Sequence, residues 1–387
     1  MRAQQIYQNK TPINVVRYQA ANRLLVCATA DGRVIALDAS ADFRPVAEIQ
    51  TGLSTIDGLD IHSQERVIAV AGQGAHQGWN LESGRRLFHE SFSPYDQSPP
   101  GYGSGYCLRF HQGQQASDWV LFGSYAQRFI ARNWRTGERR ELFVGSDYNV
   151  WIAFHPAGDL GVASLLIPQS HSHIGFFRFT AQGEYTTYRK PGINILSDQV
   201  QTDVPVRCCF TPDGAQLLTA FTNTYIMQTI EEVQSQGALL GVIRAYDFPG
   251  CRRLNEVSLW GQMRDLTVYE GYGENGETLY GAAGSVTNAV VLSGGDLAAC
   301  GMQNGRVALV DLQRGEVAAY LPLHRGAVHS VDLLDAATLL TAGEDGQVML
   351  CDLRPQFGEP PSNRAAAAAV SAAGVEEFLQ AAVEGKF

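Results

Sequence analysis

Four sets of residues have types and spacings that invite chemistry. Gly271-Tyr-Gly-Glu-Asn-Gly276 fits the GxGxxG pattern. In its phosphate-binding form that pattern follows a strand and opens a helix, so that amides at the helix N-terminus face the pyrophosphate. Here strand-forming residues lie on both sides and Glu274 would repel phosphate, so the segment reads as a hairpin turn. His62, His111 and His155 recur at one position of a repeating pattern. Successive repeats hold them too far apart for one ion with bonds of about 2 Å, and repeat drift accounts for them. His171 and His173 form a closer pair on the loop-like stretch IPQSHSH (167–173), without a nearby carboxylate. Asp60 and Asp332 stand on strand-like runs, where a hard cation would want several oxygen ligands. Only two or three such residues are available, so solvated carboxylates are expected. GYGSGY is not GxSxG, and no strand–Ser–helix elbow occurs. The sequence thus points to no catalytic residue, no cofactor site and no metal site.

The elements that would position these residues come next. The chain has 387 residues, 45% hydrophobic and 18% charged, a globular composition. Its 40 glycines suit many short strands joined by turns. RVIALDA (33–39), HQGWNLESG (76–84), RFIARNWRTG (128–137), HIGFFRFTAQG (173–183), GVIRAYDFPG (241–250), GRVALVDLQRG (305–315) and QVMLCDLR (347–354) share one pattern. Each alternates apolar and polar residues, and most then meet a Gly-containing turn. Two further apolar runs precede each of them, and a fourth follows in all but the last. Asp311 and Asp352 stand 41 positions apart, as do Asn304 and Asp345. A period near 40 with up to four strands per unit is that of propeller blades. The surplus run at residues 4–8, QQIYQ, is placed to supply the missing outer strand of the last unit. The expectation is an all-β fold: a seven-bladed β-propeller of four-stranded antiparallel blades over residues 1–354, its N-terminal strand closing the last blade. Residues 263–284 read either as a hairpin insertion or as part of an eighth blade.

Several of these residues resemble the WD-repeat family of β-propellers. Phe154-His-Pro-Ala-Gly158 and Phe210-Thr-Pro-Asp-Gly214 match its turn after the innermost strand, and Asp345-Gly346, Asp352 and His324 match other marks. The resemblance implies a hydrogen-bonded cluster of His324, Thr341 and Asp345 inside one blade. Cys351 stands where the family has tryptophan, as do Leu37, Tyr246 and Val310 in other blades. It also implies a non-enzymatic protein-interaction scaffold or adaptor. A propeller enzyme, or a small-molecule or metal binder at the channel mouth, is the alternative. An enzyme of that kind should place convergent acids, histidines or arginines on inner strands, and mainly apolar residues are read there.

Loop lengths say where partners would dock. Turns on one face of the disc are short. The other face receives 91–106, 167–173, 190–205, 222–241 and the 263–284 segment, and long loops in compact folds tend to carry function. Tyr95, Tyr102 and Tyr106 stand among Gly, Ser and Pro, a composition suited to protein contact or to a rigid lid. Tyr225 and Ile226 lead a helix-like stretch nearby. After a linker at 355–364, residues 365–387 form an alanine-rich tail. Val375, Phe378, Leu379 and Val383 share one face of a short helix there. Such a helix needs a surface, either its own propeller or a partner groove. Net charge is −10 and no basic cluster occurs, which disfavours nucleic acid as a ligand. No apolar run approaches the ~20 residues that cross a bilayer. Seven cysteines, an odd number, sit largely in strand-like runs. A cytoplasmic protein with one or more protein partners is the expectation.

Overall fold

A computed structural model of the chain describes residues 2–72, 74–91, 107–111, 117–123, 128–144, 148–167, 171–187, 206–221, 242–259, 269–272, 278–281, 286–291 and 297–357, with Glu377, Gln380 and Ala381 of the tail. The chain opens on β1 (Arg2–Gln8). The first blade is β2 (Ile13–Gln19), β3 (Leu24–Thr29), β4 (Arg33–Asp38) and β5 (Arg44–Gln50). The second is β6 (Ile56–Ile61), β7 (Val67–Gly72), β8 (Ala75–Asn80) and β9 (Arg86–Ser91). The third is β10 (Cys107–Phe110), β11 (Trp119–Gly123), β12 (Arg128–Asn133) and β13 (Arg139–Val144). The fourth is β14 (Tyr148–Phe154), β15 (Leu160–Ile167), β16 (His171–Phe179) and β17 (Tyr185–Thr187). The fifth is β18 (Val206–Phe210), β19 (Gln216–Phe221), β20 (Val242–Asp247) and β21 (Arg253–Ser258). A two-stranded hairpin, β22 (Tyr269–Tyr272) and β23 (Thr278–Gly281), comes next. The sixth blade is β24 (Val286–Val291), β25 (Leu297–Met302), β26 (Arg306–Asp311) and β27 (Glu316–Pro322). The seventh is β28 (Val328–Asp335), β29 (Thr338–Gly343) and β30 (Gln347–Asp352), with β1 outside β30.

All seven blades are four-stranded and antiparallel. Each innermost strand packs on the next, and β28 packs on β2, so the ring is closed. The hairpin lies between blades five and six, which decides the open question in favour of an insertion. Tyr272 pairs with Thr278 across the GxGxxG segment, as a hairpin requires. The seventh blade closes as its missing strand implies, with β1 pairing from Arg2–Asp352 to Gln8–Gln347. It starts two residues earlier than the apolar pattern shows, because Arg2 and Ala3 pair through backbone alone. His171 and His173 lie within β16, opposite Ile167 and Leu165, and not on a loop. One helical turn, α1 (Arg354–Phe357), follows β30 where the linker was expected to begin. Glu377, Gln380 and Ala381 are helical.

Burial explains the patterning. The second strand of a blade is covered on both faces by neighbouring blades, so β3, β7 and β29 are buried at every residue and read as continuous apolar runs. Outer strands are far less covered: β5 buries only Ile49, with Ala47 half-buried. Separate apolar clusters fill successive interfaces, for example Val26, Val34, Ile49, Ile56 and Leu59 between blades one and two. Another joins Val16, Leu37, Leu340 and Val348 across the seam between blades seven and one. Among the described residues no helix is long and apolar enough to cross a membrane.

Candidate functional site

On the face where first and second strands turn, one position reaches from each of blades one to four into the next. Gln19 of blade one donates through Nε2 to the carbonyls of His62 and Glu65 in blade two. His62, in the same position of blade two, meets Phe110 and Trp134 edge-on in blade three, at ring centroid distances of 5.5 and 5.8 Å. His111 Nε2 lies 3.1 Å from Asp159 Oδ1 of blade four. His155 Nε2 donates to the Gly214 carbonyl of blade five at 3.1 Å. The three histidines singled out by their spacing are therefore inter-blade pins.

Their type has a local reason. His155 Nδ1 accepts the Ala157 amide (3.1 Å) and His62 Nδ1 accepts the Glu65 amide (3.0 Å), each closing its own turn. That geometry requires the neutral ring, because a protonated Nδ1 can only donate. Burial pushes the pKa of all three below the ordinary histidine value. Asp118 and Glu65 oppose the shift at His62, Asp159 at His111, and the Gly214 carbonyl at His155. Gly214 has φ +72, and a Cβ there would overlap the His155 ring, so both turn and pin need glycine.

Inside the ring, the innermost strands align a second set. Asp332, Arg17, Asp60, Arg109, Ala153, Cys209 and Val290 occupy one register position, opposite Leu340, Val26, Ala69, Leu121, Val162, Leu218 and Ala299 respectively. Acid and base alternate through blades seven, one, two and three, and the remaining three blades carry Ala, Cys and Val. Asp332 Oδ2 accepts the Tyr18 amide (2.8 Å) from blade one, and Asp60 Oδ2 accepts the Phe110 amide (2.8 Å) from blade three. Asp60 is only 6% exposed, so the expectation of solvated channel carboxylates fails. A buried amide without an acceptor costs free energy, and these carboxylates supply one at an inner edge. Burial raises the Asp332 pKa, against the opposing pull of Arg17, the Tyr18 amide and Arg109. Arg109 also acts on Cys209 and lies 5.2 Å over the Trp151 ring of blade four.

Sequence reading missed Arg17 and Arg109, and with them the polarity of this channel wall. The signal was available: each stands directly before the aromatic residue that leads into the pin position, Tyr18 or Phe110. Aligning the inner strands as columns finds them; reading each strand alone does not.

In the seventh blade, His324 Nδ1 donates to Asp345 Oδ1 (2.9 Å), and Nε2 accepts the Thr341 hydroxyl at 2.8 Å. Burial works to raise Asp345, yet His324 and the amides of Arg325 and Gln347 hold its pKa below the ordinary carboxylate value. Cys351 is buried in the adjoining core cluster. The cluster fixes the turn that holds Gly346 at φ +72.

Cys27, Cys251, Cys300 and Cys351 are free thiols and buried. Burial pushes the Cys27 and Cys209 thiols up to about 12, which suppresses the nucleophilic thiolate. Among the described residues, no three His, Cys, Asp or Glu side chains are grouped to hold a metal ion. Tyr95, Tyr102, Tyr106, Tyr225, Ile226, Val375, Phe378, Leu379 and Val383 lie outside the described residues.

These features define the class: a seven-bladed β-propeller, closed by its own N-terminal strand and pinned on one face from blade one to blade five. No protein-family model and no curated protein matches the sequence.

Proposed function

We propose that the chain is a non-enzymatic scaffold of WD-repeat kinship that binds one or more protein partners through one face of the disc. One observation carries this reading: the asymmetry between the two faces. On the pinned face, turns such as Gln19–Arg23 and His155–Leu160 are tight and internally hydrogen-bonded. On the other face, β9 and β10 are separated by residues 92–106, β17 and β18 by 188–205, and β19 and β20 by 222–241. The hairpin β22–β23 departs from the same face. Insertions concentrated on one face of a rigid disc suit recognition. The His324–Thr341–Asp345 network supports the WD-repeat kinship. Buried free thiols suit a reducing cytoplasm.

The test is affinity capture with the full chain and with variants in which 92–106 or 222–241 is replaced by a short turn. Partners should be lost from a loop variant that keeps the wild-type melting temperature. Capture that survives both replacements sinks this reading. A small-molecule site in the channel is the second reading, favoured by the alternating Asp332, Arg17, Asp60 and Arg109. It predicts that Arg109→Ala alters ligand binding and leaves protein capture intact.

A further inference from the structure

The seam between blades seven and one is closed twice. On the outside, β1 adds to β30. On the inside, Val16 of blade one donates its amide to Ser330 Oγ (3.1 Å) and Tyr18 donates to Asp332 Oδ2 (2.8 Å), both in blade seven. Ile13, Val16, Leu25, Leu37, Leu340 and Val348 fill the seam between these two levels. β1 adds little to that burial: Arg2, Ala3, Gln4, Gln5 and Gln8 are exposed, and Ile6 and Tyr7 are half-buried. Outer strands elsewhere go deeper, burying Ile49, Phe88, Val257 or Leu321. A bulge between Gln5 and Tyr7 interrupts the β1–β30 ladder.

We propose that β1 is an exchangeable strand: residues 2–8 of a second copy of this chain take its place on β30, and two copies swap them reciprocally. A second copy is the fitting occupant because its strand reproduces every register partner, from Arg2–Asp352 to Gln8–Gln347. The connection to blade one, residues 9–12, is short and suited to opening. Pro12 fixes its own φ and biases Thr11 to the extended region, so the straightened hinge is a favoured conformation. In the closed form Asn9 donates its amide to the Gly346 carbonyl (2.8 Å) and accepts from Arg33 through Oδ1 (3.1 Å). The first of these bonds is remade by the swapped strand. The inner latch keeps each ring closed during exchange.

Full chain stored concentrated and then diluted should show, by size exclusion with light scattering, a dimer that persists at low concentration. Gln4→Cys with Leu350→Cys places a thiol pair at register partners of the ladder. On a non-reducing gel it should link two chains in the dimer fraction and one chain to itself in the monomer fraction. No dimer at any concentration, or a dimer whose engineered bond stays within one chain, overturns the proposal. Removal of residues 2–8 should leave a folded monomer unable to dimerise; an unfolded chain would show that the seam depends on β1 and would equally overturn it.

Discussion

Blades seven, one, two and three differ from blades four, five and six. In the first arc, Asp332, Arg17, Asp60 and Arg109 alternate along the channel wall, and two carboxylates cap the next blade's inner amides. In the second arc the same register position holds Ala153, Cys209 and Val290. Rings pack closely where blades three, four and five meet, and aliphatic side chains such as Ala298, Met302 and Val310 fill the side of blade six. Phe177 meets Phe129 and Phe154 edge-on at 5.2 and 5.7 Å, and Phe248 packs on Phe176 and Phe210. The connections 188–205 and 222–241 and the β22–β23 hairpin all leave the aromatic arc. Carboxylate caps on inner amides mark the first arc. In the second, packed rings at blades four and five stand beside polar inter-blade bonds such as His155 to the Gly214 carbonyl and Trp151 Nε1 to the Cys208 carbonyl (2.8 Å). The comparison teaches that one ring joins its blades in two ways, by carboxylate caps on inner amides in one arc and by packed rings in the other.

The largest expected effect lies in the aromatic arc. Phe177→Ala removes a fully buried ring that also covers Gly161, and should cost about 3–5 kcal/mol in denaturant unfolding. A loss below ~1 kcal/mol would mean that this arc does not rest on its rings. In the polar arc, Asp60→Ala leaves the buried Phe110 amide without its acceptor and should cost about 1–3 kcal/mol. Asp60→Asn keeps an acceptor oxygen and should recover most of that, by the same measurement. Equal losses in the two variants would show that charge, and not the amide cap, matters there.

Acid sharpens the contrast further. The folded pKa of His62, His111 and His155 lies below the unfolded value, and that of His76 falls to about 3 because of burial. Their contribution to stability is present above the unfolded value of about 6.5 and is lost as pH falls toward the folded values. Each titrating histidine steepens that fall by at most about 1.4 kcal/mol per pH unit. Thermal melts from neutral to mildly acidic pH should show it, and hydrogen exchange should place the first loosening at blades two to five. Substituting Gln, the residue of blade one, at positions 62, 111 and 155 should flatten the profile. The smallest effect belongs to the exposed Arg135, which pairs with Asp118 and Glu65: Arg135→Ala should cost no more than ~1 kcal/mol.

The ring, its period and its closure were legible because repetition multiplies weak signals: seven runs like RVIALDA outweigh any single ambiguous strand. The pin histidines were visible as a column but not as pins, because their partners Asp159 and Gly214 lie 48 and 59 positions away. Asp60 was read as solvated since nothing local reveals the Phe110 amide, 50 positions on. Arg17 and Arg109 were hidden by reading inner strands singly. His171 and His173 were assigned to a loop because Pro168-Gln-Ser170 breaks the apolar run, whereas backbone pairing extends β15 to Ile167 and starts β16 at His171.

The central claim is that partners engage the face from which the long connections leave. Cross-linking mass spectrometry on a captured complex tests it most directly. With a carboxyl-reactive cross-linker, the account predicts partner links at Asp96, Asp198, Asp203, Glu231 and Glu232 of the long connections, with few at Glu65, Asp118 and Asp159 of the pinned face. Links concentrated on the pinned turns, or shared equally by both faces, would contradict it.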